Sequence, residues 1–282
     1  MDTIILPLDG TPEAESAFTA VQALTKNQPS TIRLLYVGDD EDGSHQQYLE
    51  KVSKLFSGLG HEPTAQVLPG DPAQVIVQTA QVLEADLLVL KRDDREGLGG
   101  WILGSITDKV ARELPCPLLL INPLPGDSRW VDLKIGHIMV PLDGSAAAET
   151  AIDAALPFAE RLGARLSVMY SVPWPQPTYA APPEFLAVGS ISAQTDATLE
   201  ADMHAYLNGL AERYKDRVQL GQIAMRGPEA DAVNVAAENH EVDLILMTTH
   251  GSGGMVHRGL GSVAEAVTKS SGVPVMLVRP AS

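Results

Sequence analysis

The segment Thr248-Thr-His-Gly-Ser-Gly-Gly-Met-Val-His-Arg-Gly-Leu-Gly-Ser-Val263 concentrates the residues of this sequence that could do chemistry. It follows the apolar run Leu244-Ile-Leu-Met247 and precedes residues at helical spacing: Val263, Ala266, Val267 and Ser270. A strand, a glycine-rich loop and a helix starting at Ser262 would aim free backbone N–H groups and the positive end of the helix at one point, where an anion fits. Glycine lets phosphate oxygens approach the backbone with no Cβ in the way. The Ser262 hydroxyl can cap the helix or contact a phosphate. Two common phosphate loops do not match. Gly254-x4-Gly259 is followed by Leu260, not Lys, and Gly251-Ser-Gly253 has Val256 at its third glycine position and follows a fourth strand rather than a first. His250 and His257 lack the further ligands that zinc needs. His257 or Arg258 is better placed to touch a phosphate, and an empty surface turn is the plain alternative.

The elements that must position this loop are written twice. Ile5-Leu-Pro-Leu-Asp-Gly-Thr11 recurs as Val140-Pro-Leu-Asp-Gly-Ser145. Asp9 with Asp143 and Tyr36 with Tyr170 share an offset of 134. Gly70 with Gly227, Gly104-Ser105 with Gly261-Ser262, Pro117 with Pro274 and Pro123 with Pro280 share an offset of 157. The difference of 23 is one insertion, after the second strand of copy two, where Pro173 to Glu184 is too proline-rich for a helix or an inner strand. It hangs beside the loop as a lid, an association arm or a plain ordered loop. A Pro- and Gly-bearing linker, Pro123 to Trp130, separates the copies.

Strands are predicted at 4–8, 32–37, 64–68, 87–90 and 118–121, then at 138–142, 166–172, 218–225, 244–248 and 273–278. Unalternating runs such as Leu87-Leu-Val-Leu90 suit strands covered on both faces. A helix after Asp143 carries Ile152, Ala155, Leu156, Ala159 and Leu162 on one stripe, with Pro157 set to bend it. Another, from about 195 to 214, presents Leu199, Met203, Tyr206, Leu207 and Leu210. Strand–helix alternation gives parallel strands with right-handed crossovers. The fold class is α/β: two tandem Rossmann-like domains, each a doubly wound five-stranded parallel sheet, spanning 1–124 and 135–282. Ligands of such sheets bind outside the carboxyl ends of the strands.

The composition fits a globular protein, 45% hydrophobic and 20% charged. A net charge of -16 repels nucleic acid and anionic lipid at long range. It leaves room for a small anion held by a local nest of N–H groups. Cys116 is the single cysteine, so no intrachain disulfide forms, and beside a hydrophobic strand it reads as a small core residue. The N-terminus lacks a basic region and a long apolar run, and nothing reaches the ~18 apolar residues of a membrane span. A cytoplasmic protein is expected. The segment Asp39-Asp-Glu-Asp42 reads as a solvated loop.

The glycine loop resembles that of the universal stress protein family, whose ATP-binding members carry Gly-x2-Gly-x9-Gly and then Ser or Thr after strand four. Here Gly251, nine residues and Gly261-Ser262 match, while Thr248 stands at the first glycine position. Pro141 to Gly144, Gly227-Pro228 and the closing Val273-Pro-Val275 match as well. The resemblance runs along nearly the whole chain, twice. It implies that Pro141 and Asp143 flank an adenine, with Ser171 and Val172 at the end of strand two. Ribose and phosphates would meet Thr248, Gly251, Gly261, Ser262 and Val263, with Gly254 and Arg258 completing the candidate set. The ligand implied is ATP or a related adenine nucleotide, with or without magnesium. Asp143 could also simply cap the next helix.

Copy one diverges at the loop. Lys91, Asp93 and Asp94 replace Thr248, His250 and Gly251. Two carboxylates facing phosphates in a partly dry site cost several kcal/mol at an effective dielectric of ~20. Lys91, Arg92 and Arg95 would offset part of that. Copy one is therefore expected to be a degenerate, structural half. The closing strands, Pro117–Ile121 and Pro274–Val278, are expected to join the two halves within one chain, as paired subunits join in single-domain relatives. An exposed edge there would also invite homodimerisation. No convincing base, nucleophile or metal cluster is present, so a nucleotide-binding regulator, with a protein partner, is expected rather than a fast catalyst. The alternatives are a scaffold that binds no nucleotide and a slow ATPase of the same fold class.

Overall fold

In a computed structural model, residues 2–11, 17–25, 30–92, 96–97, 100–101, 104–113, 115–121, 133–172, 189–250 and 260–280 are described, by backbone alone at 96–97, 100–101 and 189–196. The first half runs β1 (Thr3–Leu8), α1 (Ala17–Thr25), β2 (Thr31–Val37), α2 (Ser44–Gly58), β3 (Glu62–Leu68), α3 (Pro72–Val82) and β4 (Leu87–Lys91). It continues through the short strands β5 (Glu96–Gly97) and β6 (Gly100–Trp101) to α4 (Ser105–Glu113) and β7 (Leu118–Ile121). The second half runs β8 (His137–Leu142), α5 (Ala146–Leu162), β9 (Arg165–Val172), α6 (Gly189–Tyr214) and β10 (Leu220–Arg226). It closes with α7 (Glu229–Asn239), β11 (Leu244–Thr248), α8 (Ser262–Ser270) and β12 (Val275–Val278).

The halves share one ten-stranded sheet, ordered β10-β9-β8-β11-β12-β7-β4-β1-β2-β3. Each half contributes five parallel strands in the same relative order. The seam alone is antiparallel: Val275 faces Leu120, Met276 faces Leu119 and Leu277 faces Leu118. The closing strands thus join the halves as expected. They are not open edges, however, because each is paired on both sides; β3 and β10 are the edges. β3 tolerates Pro63 because an edge strand need not donate outward.

Alternating side chains build a core on each face. On one face β1, β8 and β9 pack against α1, α2, α5 and α6. On the other, residues such as Ile5, Met139, Ile245 and Leu277 pack against α3, α4, α7 and α8. These are called the first and second faces below. Boundaries moved by a few residues. β10 starts at Leu220 and β12 at Val275, two residues later than expected, while α6 starts at Gly189, six earlier. Leu199 is 42% exposed and leaves the predicted stripe; Met203, Leu207 and Leu210 are buried. Helix α5 continues through Pro157. The linker residues Pro123 to Trp130 and the insertion residues 173–188 lie outside the described residues.

A polar network sits at the amino ends of β8 and β9. His137 Nδ1 lies 3.0 Å from the His240 carbonyl and Nε2 lies 2.8 Å from Ser167 Oγ. A carbonyl only accepts, so in the neutral ring Nδ1–H donates and Nε2 accepts from the Ser167 hydroxyl. The Asp243 carboxylate accepts from the Gly136 and His137 amides at 2.8 and 2.9 Å. Burial, with a smaller effect of Arg165, holds the His137 imidazole below its ordinary value, despite the opposing pull of the His240 carbonyl and Asp243. His61 is held down by burial as well. Below the ordinary histidine range the unfolded chain therefore binds protons that the folded chain refuses, so stability falls as pH falls. Urea midpoints should decline from pH 7 to pH 5, and His137→Gln should flatten part of that slope. An unchanged slope in the variant would exclude His137 as a source.

Candidate functional site

At the carboxyl end of β8, Pro141 is buried and Asp143 half-buried. Asp143 Oδ1 accepts from the Ser145 amide at 2.9 Å and from its hydroxyl at 2.6 Å. Ser145 Oγ in turn accepts from the Ala148 amide at 3.1 Å. The cap of α5 is therefore Ser145, and not Asp143 as one expectation had it. Asp143 instead forms the turn that orients its own carboxylate before any ligand arrives. Gly144, at φ 81, makes that turn, and a Cβ on it would lie 3.7 Å from the Tyr170 hydroxyl. The same turn stands in the first half, where Asp9 Oδ1 accepts from Thr11 N and Oγ1 at 2.9 and 2.6 Å.

At the end of β11 the chain returns on itself. The Thr249 amide donates to the Val278 carbonyl at 2.9 Å, and the Gly261 amide donates to the Thr249 carbonyl at 2.8 Å. This second bond docks the start of α8 on the strand end. A Cβ on Gly261 would lie 3.3 Å from that carbonyl, so the approach favours glycine. Gly261 is the helix cap and offers no side-chain bond. The Ser262 side chain is exposed in the first turn and does not cap the helix, which removes one of its two expected roles. The Ser262, Val263 and Ala264 amides, one turn from the start, have no acceptor within the helix. Gly251, Gly254, His257 and Arg258 lie outside the described residues.

The pleat divides the remaining candidates. Met139, Met169 and Met247 belong to the second face, so Pro141, Ser171 and Thr249, two residues on, share it. Val263 packs there as well. Val172 belongs to the first face, and Thr248 shares the face of Leu246. Thr248 is 6% exposed and its hydroxyl donates to the His250 carbonyl at 2.9 Å. The structure thus brings Pro141, Ser171, Gly261 and Val263 to one side of the carboxyl rim, with Asp143 at its crest. Val172 and Thr248 point to the other side.

Sequence reasoning missed the wall behind Asp143. Tyr206, on α6, donates to Glu149 at 3.0 Å, Arg213 pairs with the same carboxylate at 2.5 Å, and Tyr170 stands 5.1 Å from Tyr206 between ring centroids. Burial, then the Glu149 carboxylate, pushes the Tyr206 phenol up, so it stays a donor. The legible signal was the Tyr170–Tyr36 repeat, but nothing in it pointed to α6.

In the first half, β5 and β6 occupy the segment equivalent to the glycine loop. They pair antiparallel, Glu96 with Trp101 and Gly97 with Gly100. A ribbon turns its amides to its own partner strand and so offers fewer to an anion. Arg92, expected to offset carboxylates there, is buried, and its Nη1 donates to the Thr268 and Ser271 carbonyls of the other half. Asp93, Asp94 and Arg95 lie outside the described residues. Cys116 is half-buried, and burial beside Asp86 pushes its thiol up to about 12, so it stays protonated and packs as a small residue. Among the described residues no His, Cys, Asp and Glu group could hold a metal, and no helix is long and apolar enough to cross a membrane.

The model of the universal stress protein family matches residues 1–122 and again 134–279. A universal stress protein of Mycobacterium tuberculosis is 25% identical over 300 residues, covering 98% of this chain and 96% of its own. One from Thermus aquaticus, 32% identical over 137 residues, spans 43% of this chain and 98% of its own. A crystal structure of a universal stress protein from Archaeoglobus fulgidus superposes with a TM-score of 0.69 at 17% identity, over 98% of both chains. Matched on both sides of its linker, and folded twice into the same five-stranded order, the chain belongs to the universal stress protein family as a tandem two-domain member.

Proposed function

We propose that the second half, residues 135–282, binds ATP or a related adenine nucleotide, and that the chain acts as a stress-response regulator rather than a fast catalyst. The observation that carries this is the uncapped start of α8, drawn onto the end of β11 by the Gly261–Thr249 bond at 2.8 Å. Its amides, the helix dipole and the absent Cβ favour a phosphate. Pro141, Asp143 and Ser171 supply the adenine side of the same rim. Asp143 is the carboxylate of that rim among the described residues, and its Oδ1 is committed to Ser145. A base so committed supports binding with at most slow hydrolysis. The first half, residues 1–124, serves as the structural partner.

Calorimetric titration with ATP tests this. A dissociation constant below ~1 mM, about 4 kcal/mol, is expected. Asp143→Ala should weaken it about tenfold, or ~1.4 kcal/mol, while Ser145→Ala costs helix stability and leaves affinity largely intact. Binding weaker than ~1 mM would favour a scaffold that takes no nucleotide. Rapid phosphate release would favour an enzyme.

A further inference from the structure

The cation at the end of β4 reaches the far end of the helix whose start forms the proposed site. Helix α8 ends in the core: Thr268 is 1% and Ser271 2% exposed. A helix end leaves carbonyls without partners, and buried ones need a donor. The cap of α8 supplies one backbone bond, from the Ser271 amide to the Val267 carbonyl at 2.8 Å. Arg92 supplies more, donating from Nη1 to the Thr268 carbonyl and, at 3.4 Å, to the Ser271 carbonyl. A guanidinium at the negative end of a helix is favourable in charge as well.

The position is asymmetric between the halves. The residue equivalent to Arg92, at the offset of 157, is Thr249, whose backbone carbonyl holds the Gly261 amide. The half with the ribbon at its strand end carries the arginine. The half with the glycine loop carries the small residue that docks its own helix.

We infer that Arg92 is a positioning residue for the nucleotide site of the other half: it fixes the carboxyl end of α8, and thereby where the amides at the start of α8 point. This rests on the proposed nucleotide binding for its functional consequence, though not for the clamp itself. α8 has nine residues, about 13 Å of rigid rod at 1.5 Å per residue. A helix tethered at Gly261 and Arg92 keeps its amides converged; one released at the far end tilts about the Gly261–Thr249 bond.

A matched contact provides the control. Arg279, in the second half, donates to the Arg112 carbonyl near the end of α4 at 3.4 Å. It too crosses the seam onto a helix end, but α4 belongs to the half with the ribbon. Arg92→Met, Arg92→Lys and Arg279→Met should be compared with the parent chain by ATP titration and by amide hydrogen exchange without nucleotide. Arg92→Met should weaken ATP binding at least fivefold and speed exchange in α8 at least tenfold. Arg92→Lys should recover part of both, and Arg279→Met should leave ATP affinity within twofold of the parent. Unchanged exchange in α8 on Arg92→Met overturns the clamp, whatever the nucleotide result. Faster exchange with unchanged affinity overturns its link to the site, as does an equal loss of affinity in Arg279→Met. Failure of the parent chain to bind ATP overturns the proposed function separately, and the exchange data still judge the clamp.

Discussion

Gly261→Asp should lower ATP affinity more than 100-fold while leaving the fold as stable as before, within about 1 kcal/mol. At 1.4 kcal/mol per decade, a 100-fold loss is about 2.7 kcal/mol. The two effects part because one carboxylate does opposite things to the helix and to the ligand. Position 261 is the cap of α8 and has φ −62 and ψ 152, an extended conformation open to any L residue. Asp there would accept from the amides of the first turn and complement the helix dipole, worth about 0.3–1 kcal/mol. Against this stands the tight Cβ approach to the Thr249 carbonyl at 3.3 Å, which asks for a shift of a few tenths of an ångström. The same carboxylate occupies the amides that a phosphate needs and repels its charge. Gly261→Ala adds the Cβ without the charge and should cost only about five- to tenfold in affinity. Calorimetry paired with thermal denaturation separates these terms. An Asp variant that binds ATP within threefold of the parent chain would remove the start of α8 from the site.

A second large effect is expected far from that rim. Gly221→Ala should destabilise the chain by about 2–3 kcal/mol, through overpacking and a disturbed buried hydrogen bond. Gly221 lies opposite Ser167 in the β9–β10 register. An added Cβ would stand 2.3 Å from Ser167 Oγ and 3.2 Å from its Cβ. The hydroxyl cannot swing away without leaving His137 Nε2, 2.8 Å distant and buried. In a Ser167→Ala background the worst contact is gone, so Gly221→Ala should cost at least ~1 kcal/mol less there; such coupling is typical of touching residues. Urea denaturation of the four chains measures it. A cost below ~0.5 kcal/mol for the single variant would show that the strands open without penalty, contrary to expectation.

What the sequence made legible, and what it hid, follows from the range of each interaction. The duplicated Asp-Gly turn, the unalternating strand runs and the start of α8 at Ser262 are local patterns, and they stand where the spacing put them. The seam was also within reach, because each copy closes on a short apolar strand that wants a partner. The Ser145 cap was hidden behind Asp143, since both residue types cap helices and the two sit two positions apart. Leu199 fitted a helical stripe by spacing but lies on an exposed turn of α6, before Met203 enters the core. The His137–Ser167–Gly221 cluster unites the starts of three strands, and no spacing rule links residues 30 and 54 positions apart. Arg92 was placed beside the phosphates of its own half because only the fold shows the other half's helix end within reach. At the proposed nucleotide site, the described residues place Pro141 and Ser171 on one face and dock Gly261 on the Thr249 carbonyl, while the pleat turns Val172 and Thr248 to the other face.

The antiparallel seam between β7 and β12 turns one half about against the other, so their carboxyl rims look in opposite directions. Two separate but identical subunits built this way would be bound by symmetry: any replacement would be written into both rims at once. Covalent fusion lifts that constraint. One half can carry a long cation, Arg92, where its twin carries the small Thr249, and the two halves stay joined by the chain at any dilution.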